Sequence, residues 1–412
     1  MRAPVRRFSW FSLVREARRF GTGSEPARRP VAPADRYDVV ILGGGAAALA
    51  LAYHLRRLYD PPRVGLLSAG PLEGAPGAIN AVLRTDRREP AAIALYAEAR
   101  RRYEGLSRTL DFNLGLTPRG LLVLAHSELE LDRLAYVAAV AAEAGAASWM
   151  VPPREARSLL PRLAPDLALP GPLAGALWQP GAALVDGEAV MWGFARMAAA
   201  LGADIVEGCP ATGLRLAGDR VAGVETTKGR VAAETVVVTD AAAVPLLAAA
   251  GVAVPLEPRV RHVFTMAPGP PVLDVTVESS LLGGLASRSR RGGMLLAVDA
   301  APGRAAWSAA SEAATRLTTL LPASSRLSLA AGASATTLAT PDGAPILGPL
   351  GPEGLWACLG WDDGEVAAAP SIGTALAAAI GQGGLDAALQ PFAAERFVTG
   401  ALLDERPVRE PA

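Results

Sequence analysis

From Tyr37 to Leu42 the chain reads Tyr-Asp-Val-Val-Ile-Leu, a short apolar run rich in β-formers that predicts a strand buried on both faces. Gly43, Gly44 and Gly45 interrupt it. The helix-favouring stretch Ala46 to Leu58 follows, and Arg63 to Leu67 reads as the next strand, so a β-turn-α-β unit fits into about 30 residues.

Further along, helical spacing predicts a helix over Pro90 to Leu106, with Arg100, Arg101 and Arg102 on a solvated face. A strand is expected over Gly120 to Ala125, a helix over Leu129 to Ala144, and a short proline-bounded helix over Pro152 to Leu160. Asp186 to Leu201 reads as a helix whose apolar stripe, Val190, Met191, Phe194 and Met197, faces the core. Leu214 to Leu216 and Val221 to Thr226 form a hairpin pattern across Ala217-Gly218-Asp219-Arg220, and the buried strand Thr235 to Val238 runs into a helix. Pro255 to Ala330 is the least legible stretch, with strand-like pieces and a Gly/Arg-rich loop over Gly283 to Gly293. The end returns to α/β texture: a Pro/Gly turn segment from Pro341 to Gly348, a strand over Leu355 to Leu359, a polar loop over Gly360 to Glu365 and a helix over Ser371 to Ile380. No internal repeat is evident.

With 412 residues, 51% of them hydrophobic, the chain has room for two domains and a sizeable core. Forty basic and forty acidic residues cancel, so a nucleic-acid partner is not expected, and the likeness is to a protein that handles a small molecule or another chain. Cys209 and Cys358 stand far apart and form no CxxC pair, which makes the cytoplasm the default compartment. His54, His126 and His262 lack metal-ligand spacing, so no metal is expected. No apolar run approaches the ~18–20 residues that cross a bilayer, so no transmembrane segment is expected. The first 36 residues form a basic arm in which Arg2, Arg6, Arg7, Arg15, Arg18 and Arg19 surround the cluster Phe8 to Val14. Its composition is wrong for a signal peptide, and fits either an arm docking on a membrane surface or partner chain or a partly disordered terminus.

In a Rossmann-type turn the first glycine permits the bend, the second lets backbone approach a pyrophosphate, and the third position lets helix and strand pack closely. Gly43 and Gly45 fill the first two places, with Gly44 between them, and Ala48 takes the third. The following strand ends in Ser68 where such folds carry an acidic residue for the ribose hydroxyls; a serine makes one such bond where a carboxylate accepts two.

Seven segments together resemble the β subunit of heterotetrameric sarcosine oxidase, within the glycine/D-amino-acid oxidase superfamily. They are VRRFSWFSLVREA in the arm, DVVILGGG, YEGLSRTLDFN from Tyr103, RGLLVLAHS from Arg119, AVMWGFARMAAALGADI from Ala189, TPDGAPILG from Thr340 and LGWDDG from Leu359. The resemblance implies an α/β fold: a Rossmann-type FAD-binding domain built from discontinuous segments, 37–84, 186–255 and 341–400, and a smaller mixed α+β substrate domain, 85–185 and 256–340. The arm, 1–36, and a tail, 401–412, flank them. It also implies non-covalent FAD, oxidative demethylation of sarcosine or a related secondary amine, and a hetero-oligomer with other sarcosine oxidase-type subunits.

Carried over residue by residue, the resemblance places Gly43, Gly44, Gly45 and Ala48 at the pyrophosphate, Ser68 at the ribose, Ala211 by its backbone at the adenine, and Gly364 near the ring. Arg84 matches an arginine after the second strand and is the candidate for a charge role there, against a bland reading as a surface salt bridge. Five departures follow from the same alignment of motifs. Gly187 stands where the family carries its flavin-linking histidine, so covalent FMN is not expected; Ala367 replaces a lysine, and Lys228 is the only lysine in the chain. Ala78-Ile79-Asn80-Ala81 stand where the family carries Arg, Asn and Thr. Asp362, Asp363 and Glu365 would set three carboxylates against a reduced flavin unless solvated or protonated, and Asp240 is a similar substitution. Three readings therefore stand: an active FAD-dependent amine oxidoreductase, a degenerate subunit that keeps the fold as an assembly partner, and an NAD-binding module, which Ser68 disfavours.

Overall fold

The computed structural model describes residues 32–405 except 59, 73–80, 290–292 and 301–305, and leaves aside the side chains of 167 and 306–308. Most of the basic arm, the tail beyond 405 and Ala78-Ile79-Asn80 lie outside the described residues.

The first sheet has a parallel core in the order Asp204–Val206, Val64–Leu67, Arg36–Leu42, Gly229–Val238, Leu355–Leu359. Leu42 lies opposite both Leu67 and Val238, and Val236 opposite Leu355. Burial on both faces explains the unbroken apolar runs, since Val40, Ile41, Leu66 and Val237 have no exposed surface. The expected hairpin is present and longer than its pattern suggested, Ala211–Ala217 against Arg220–Thr226, turning at Gly218-Asp219. Ile346–Pro349 pairs antiparallel with Leu355–Leu359, so the Pro/Gly segment ends in a strand rather than a turn.

The helix after the glycine turn, Ala46–Leu55, is buried almost all round, because the helices Gly187–Ala200 and Glu365–Gln382 pack against it. Its small residues permit the approach: a Cβ on Gly373 would lie 2.7 Å from the carbonyl carbon of Ala50. The carboxy-terminal helix begins at Glu365, six residues before the expected start at Ser371. Pro370 concealed that onset. Its ring nitrogen carries no N–H, so the carbonyl of Val366 four residues back lacks its helical donor. The hydroxyl of Tyr103, from the helix Pro90–Thr109, donates to that carbonyl instead, in a fully buried setting. In the same helix Arg101 is solvated as expected, but Arg100 is only 19% exposed and donates to the Gly181 carbonyl, which corrects the reading of all three arginines as a solvated face.

The second sheet has eight strands and takes in most of the stretch that resisted sequence reading. Its order is Leu329–Ala339, Glu257–Met266, Met294–Ala300, Gly284–Arg288, Thr276–Ser279, Leu121–Ala125, Gly175–Gln179, Trp149–Val151. Only Thr276–Ser279 and Leu121–Ala125 run parallel. Within the expected loop over Gly283 to Gly293, Gly284–Arg288 is a strand. Ala81–Leu83, Ala183–Val185 and Thr117–Pro118 form a small third sheet between the two.

Candidate functional site

Parallel α/β sheets bind ligands at the carboxyl ends of their strands, where the loops meet. Here four such ends converge: Leu42 into Gly43–Gly45, Leu67 into Ser68, Val238 into Thr239-Asp240, and Leu359 into Gly360–Gly364. Gly43 holds φ of 134°, and a Cβ there would lie 2.3 Å from the Thr239 Oγ1 and 2.9 Å from the Asp240 Cβ. A side chain on Gly44 would meet Leu72 and the Ser68 Oγ. Ala48 is fully buried at the helix–strand contact. The turn thus has the close-packed backbone that the spacing predicts.

Ser68 sits where expected but is engaged: its hydroxyl donates to the Gly70 carbonyl at 2.8 Å, and its backbone bridges Val206 and Cys209. Ala211 opens the hairpin strand opposite Thr226, at the sheet's far side. Gly364 precedes the carboxy-terminal helix, and a Cβ on it would collide with the Tyr96 hydroxyl, 2.0 Å away. Gly187 is buried as the first residue of its helix, with Asp186 capping the Ala189 N–H at 3.1 Å, and Ala367 is 3% exposed among core residues.

The acidic loop does not act as one block of charge. Asp363 pairs with Arg261, which also holds Asp299 at 2.8 Å. Burial works against the Asp363 charge, but the Arg261 guanidinium outweighs it and keeps this carboxyl below the usual range. Asp362 occupies a left-handed backbone position, φ 52°; burial and its neighbour Asp363 push its carboxyl up. Glu365 turns the other way, toward the glycine turn. Its Oε1 accepts from the Ala47 N–H at 3.0 Å, and would lie 2.1 Å from a Cβ placed on Gly45. The helix Ala46–Leu55 has no acidic residue of its own in the first turn and no side-chain cap at Gly45, so Glu365 supplies the anion from 318 positions away. Burial pushes the Glu365 carboxyl above its ordinary value, partly opposed by the Ala47 hydrogen bond and reinforced by Asp240.

Arg84 is no surface salt bridge. Its guanidinium, 17% exposed, grips Asp86 through Nε at 2.6 Å and a second contact, and pairs with Glu278 on the second sheet. It lines a cleft between the sheets together with Arg87, Trp361, Asp362, Asp363 and Glu405. Arg87 lies 3.9 Å above the Tyr96 ring, a cation–π contact, with its Nε buried and unpartnered. Glu405 accepts from the Arg88 and Glu89 backbone N–H groups at the start of the helix Pro90–Thr109, and burial pushes its carboxyl up to about 7. Sequence reasoning missed Arg87, Arg261, Glu278 and Glu405: the last three lie near no motif, and Arg87, three residues after Arg84, carries no signal of its own.

The cleft encloses about 70 Å³, and about 710 Å³ with its mouth open to solvent. Sites for ring-sized ligands span roughly 300–1,000 Å³ and are mostly apolar. These walls are mixed, charged at Arg84, Asp86, Arg87 and Glu278 and apolar at Val123, Leu134, Val137 and Trp361.

The architecture is that of a two-domain flavoprotein, with an FAD domain and a substrate domain. L-proline dehydrogenase from P. horikoshii shares the fold with a TM-score of 0.81 at 20% identity, over 90% of this chain and 100% of that one. Glycine oxidase from Geobacillus kaustophilus gives 0.78 at 25% identity, over 88% and 99%. Residues 38–379 match the DAO family, FAD dependent oxidoreductase, and the chain belongs to it. It is 31% identical to the sarcosine oxidase subunit beta of Rhodobacter capsulatus over 97% of this chain and 98% of that one, and 29% identical to the subunit of the same name from an Arthrobacter species over 90% and 94%.

FAD is the cofactor this family implies. The backbone of the turn suits a pyrophosphate, but the Glu365 carboxylate sits on it, and the cleft beside the Trp361–Asp363 loop is narrow and walled by ion pairs. In this arrangement Glu365 at the turn and the ion pairs of the cleft are the two features that oppose the fit of the cofactor.

Proposed function

We propose that this chain is the β-type subunit of an assembly resembling sarcosine oxidase, which oxidises an amine or amino acid, and that it serves there as a structural partner without carrying flavin itself. The observation behind this reading is the charged cleft: Arg84, Asp86 and Glu278 line it as a buried ion-pair group, and Asp363 at its wall is held from behind by Arg261. Separating such pairs to admit a flavin ring would cost each buried charge its partner. Gly187 and Ala367 support the same reading, since neither side chain offers a nucleophile or a cation.

A second reading has its own support in the preserved turn at Gly43, Gly44, Gly45 and Ala48. In it the chain binds FAD non-covalently and oxidises sarcosine or a related secondary amine, with Arg84 as a charge near the ring.

The visible spectrum of the purified chain, alone and co-expressed with neighbouring subunits, decides between the two. The structural reading expects a colourless, folded protein that fails to take up added FAD and forms a stable complex with its partners. A flavin band at roughly 450 nm that bleaches with sarcosine overturns it and establishes the second reading.

A further inference from the structure

The first helix of the parallel sheet presents free backbone N–H groups to the glycine turn, and such an end attracts anions. In the folded chain that place is taken by a carboxylate of the chain itself. Glu365 reaches it because the carboxy-terminal helix starts at Glu365 and lies directly against the helix Ala46–Leu55. The fit is specific in three ways. The acceptor atom is 3.0 Å from the Ala47 nitrogen; the missing side chain of Gly45 makes room for it; and Gly45 itself offers the helix no side-chain cap. Asp240 adds a second negative group at the mouth of the turn, next to Gly43.

We infer that Glu365 is a built-in occupant of a phosphate seat: the turn still recognises a nucleoside diphosphate, and the chain's own carboxylate keeps that ligand out. This rests on the reading that the chain carries no flavin, and it adds the reason at the phosphate end, independent of the charged cleft. The Glu365 carboxyl and a diphosphate compete for the same N–H groups and the same room beside Gly45, and any negative charge on Glu365 and Asp240 adds repulsion. Removing the Glu365 side chain vacates the seat and lifts the larger part of that repulsion.

The probe is ADP, titrated calorimetrically into the full 412-residue chain and into Glu365→Ala and Glu365→Gln, with folding checked by circular dichroism. Wild type is expected to bind ADP weakly or not at all, Glu365→Ala at least tenfold more tightly, and Glu365→Gln, which keeps the volume and loses the charge, about threefold more tightly. A folded Glu365→Ala with no gain overturns the inference and leaves the structural-partner reading standing. If Glu365→Ala does not fold, Glu365→Gln carries the test: no gain there overturns it equally. Wild type that binds ADP as tightly as the variants also overturns it. FAD uptake by the wild-type chain, seen by its spectrum, would instead bring down the reading on which the inference rests.

Discussion

Two acids at the same end of the first sheet have opposite surroundings. Asp342 is buried and fully served: Arg396 donates through Nε at 2.7 Å and Nη2 at 3.1 Å, and Thr340 Oγ1, Ala344 N and Leu403 N donate to the same carboxylate. Burial raises its carboxyl, but the Arg396 contacts outweigh this and hold it below the ordinary value. Among the described residues Glu365 has a single backbone donor and no paired cation, and its carboxyl lies above its ordinary value. A carboxylate with every lone pair satisfied is part of the scaffold; one held by a single N–H at a helix end stands where a different anion could compete. The TPDGAPILG segment, prominent in the resemblance, therefore belongs to the scaffold through Asp342.

The contrast breaks most visibly at the ion pair. Asp342→Ala leaves the Arg396 guanidinium buried without its partner, and a loss of about 3–5 kcal/mol in chemical denaturation at neutral pH is expected. Because the folded pKa of Asp342 is depressed, its contribution is present above the unfolded value and is lost as pH falls through the folded one; the variant should lack that acid limb. A loss under 1 kcal/mol would show that the pair and the lone acid do not differ in kind.

Glu405 tests the opposite sign. Its folded carboxyl titrates at about 7 against an ordinary 4.5, so the folded state holds the proton longer. Wild-type stability should fall as pH rises from about 4.5 to 7, by up to a few kcal/mol (on the order of 3), and then level off. Glu405→Gln, which still offers an oxygen to the Arg88 and Glu89 N–H groups, should flatten this limb; a profile parallel to wild type would exclude Glu405 as its source. Glu365→Gln gives the smallest effect, within about 1 kcal/mol of wild type at neutral pH, since its amide oxygen keeps the Ala47 bond. A cost matching that of Asp342→Ala would place Glu365 in the scaffold after all.

Much of the first sheet was legible because its strands are short apolar runs buried on both faces and its turn has a glycine at each position that backbone contact requires. The second sheet was not. Leu329–Ala339 reads Leu-Ala-Ala-Gly-Ala-Ser-Ala-Thr-Thr-Leu-Ala, with mostly small residues and no alternation, and becomes a strand by pairing along its length with Glu257–Met266. At the site the spacing located the turn and singled out the acidic loop, yet assigned all three carboxylates to one task. Their separation depends on partners far away in sequence: Arg261 for Asp363, 102 positions off, and Ala47 for Glu365, 318 off. The surface role weighed for Arg84 fails for the same reason, since Glu278 lies 194 positions away.

The proline in the carboxy-terminal helix has a dynamic consequence. Tyr103 ties the helix down at Val366, one residue after Glu365, and Gly373 seats it against Ala50 two turns later. With its first turn and its middle both pinned, the helix has no freedom to lift Glu365 off the glycine turn as a rigid body. Departure of the carboxylate is then a rotamer change rather than a domain movement of microseconds or longer. Entry of an anion into the turn is consequently set by competition for the N–H groups rather than by movement of this helix.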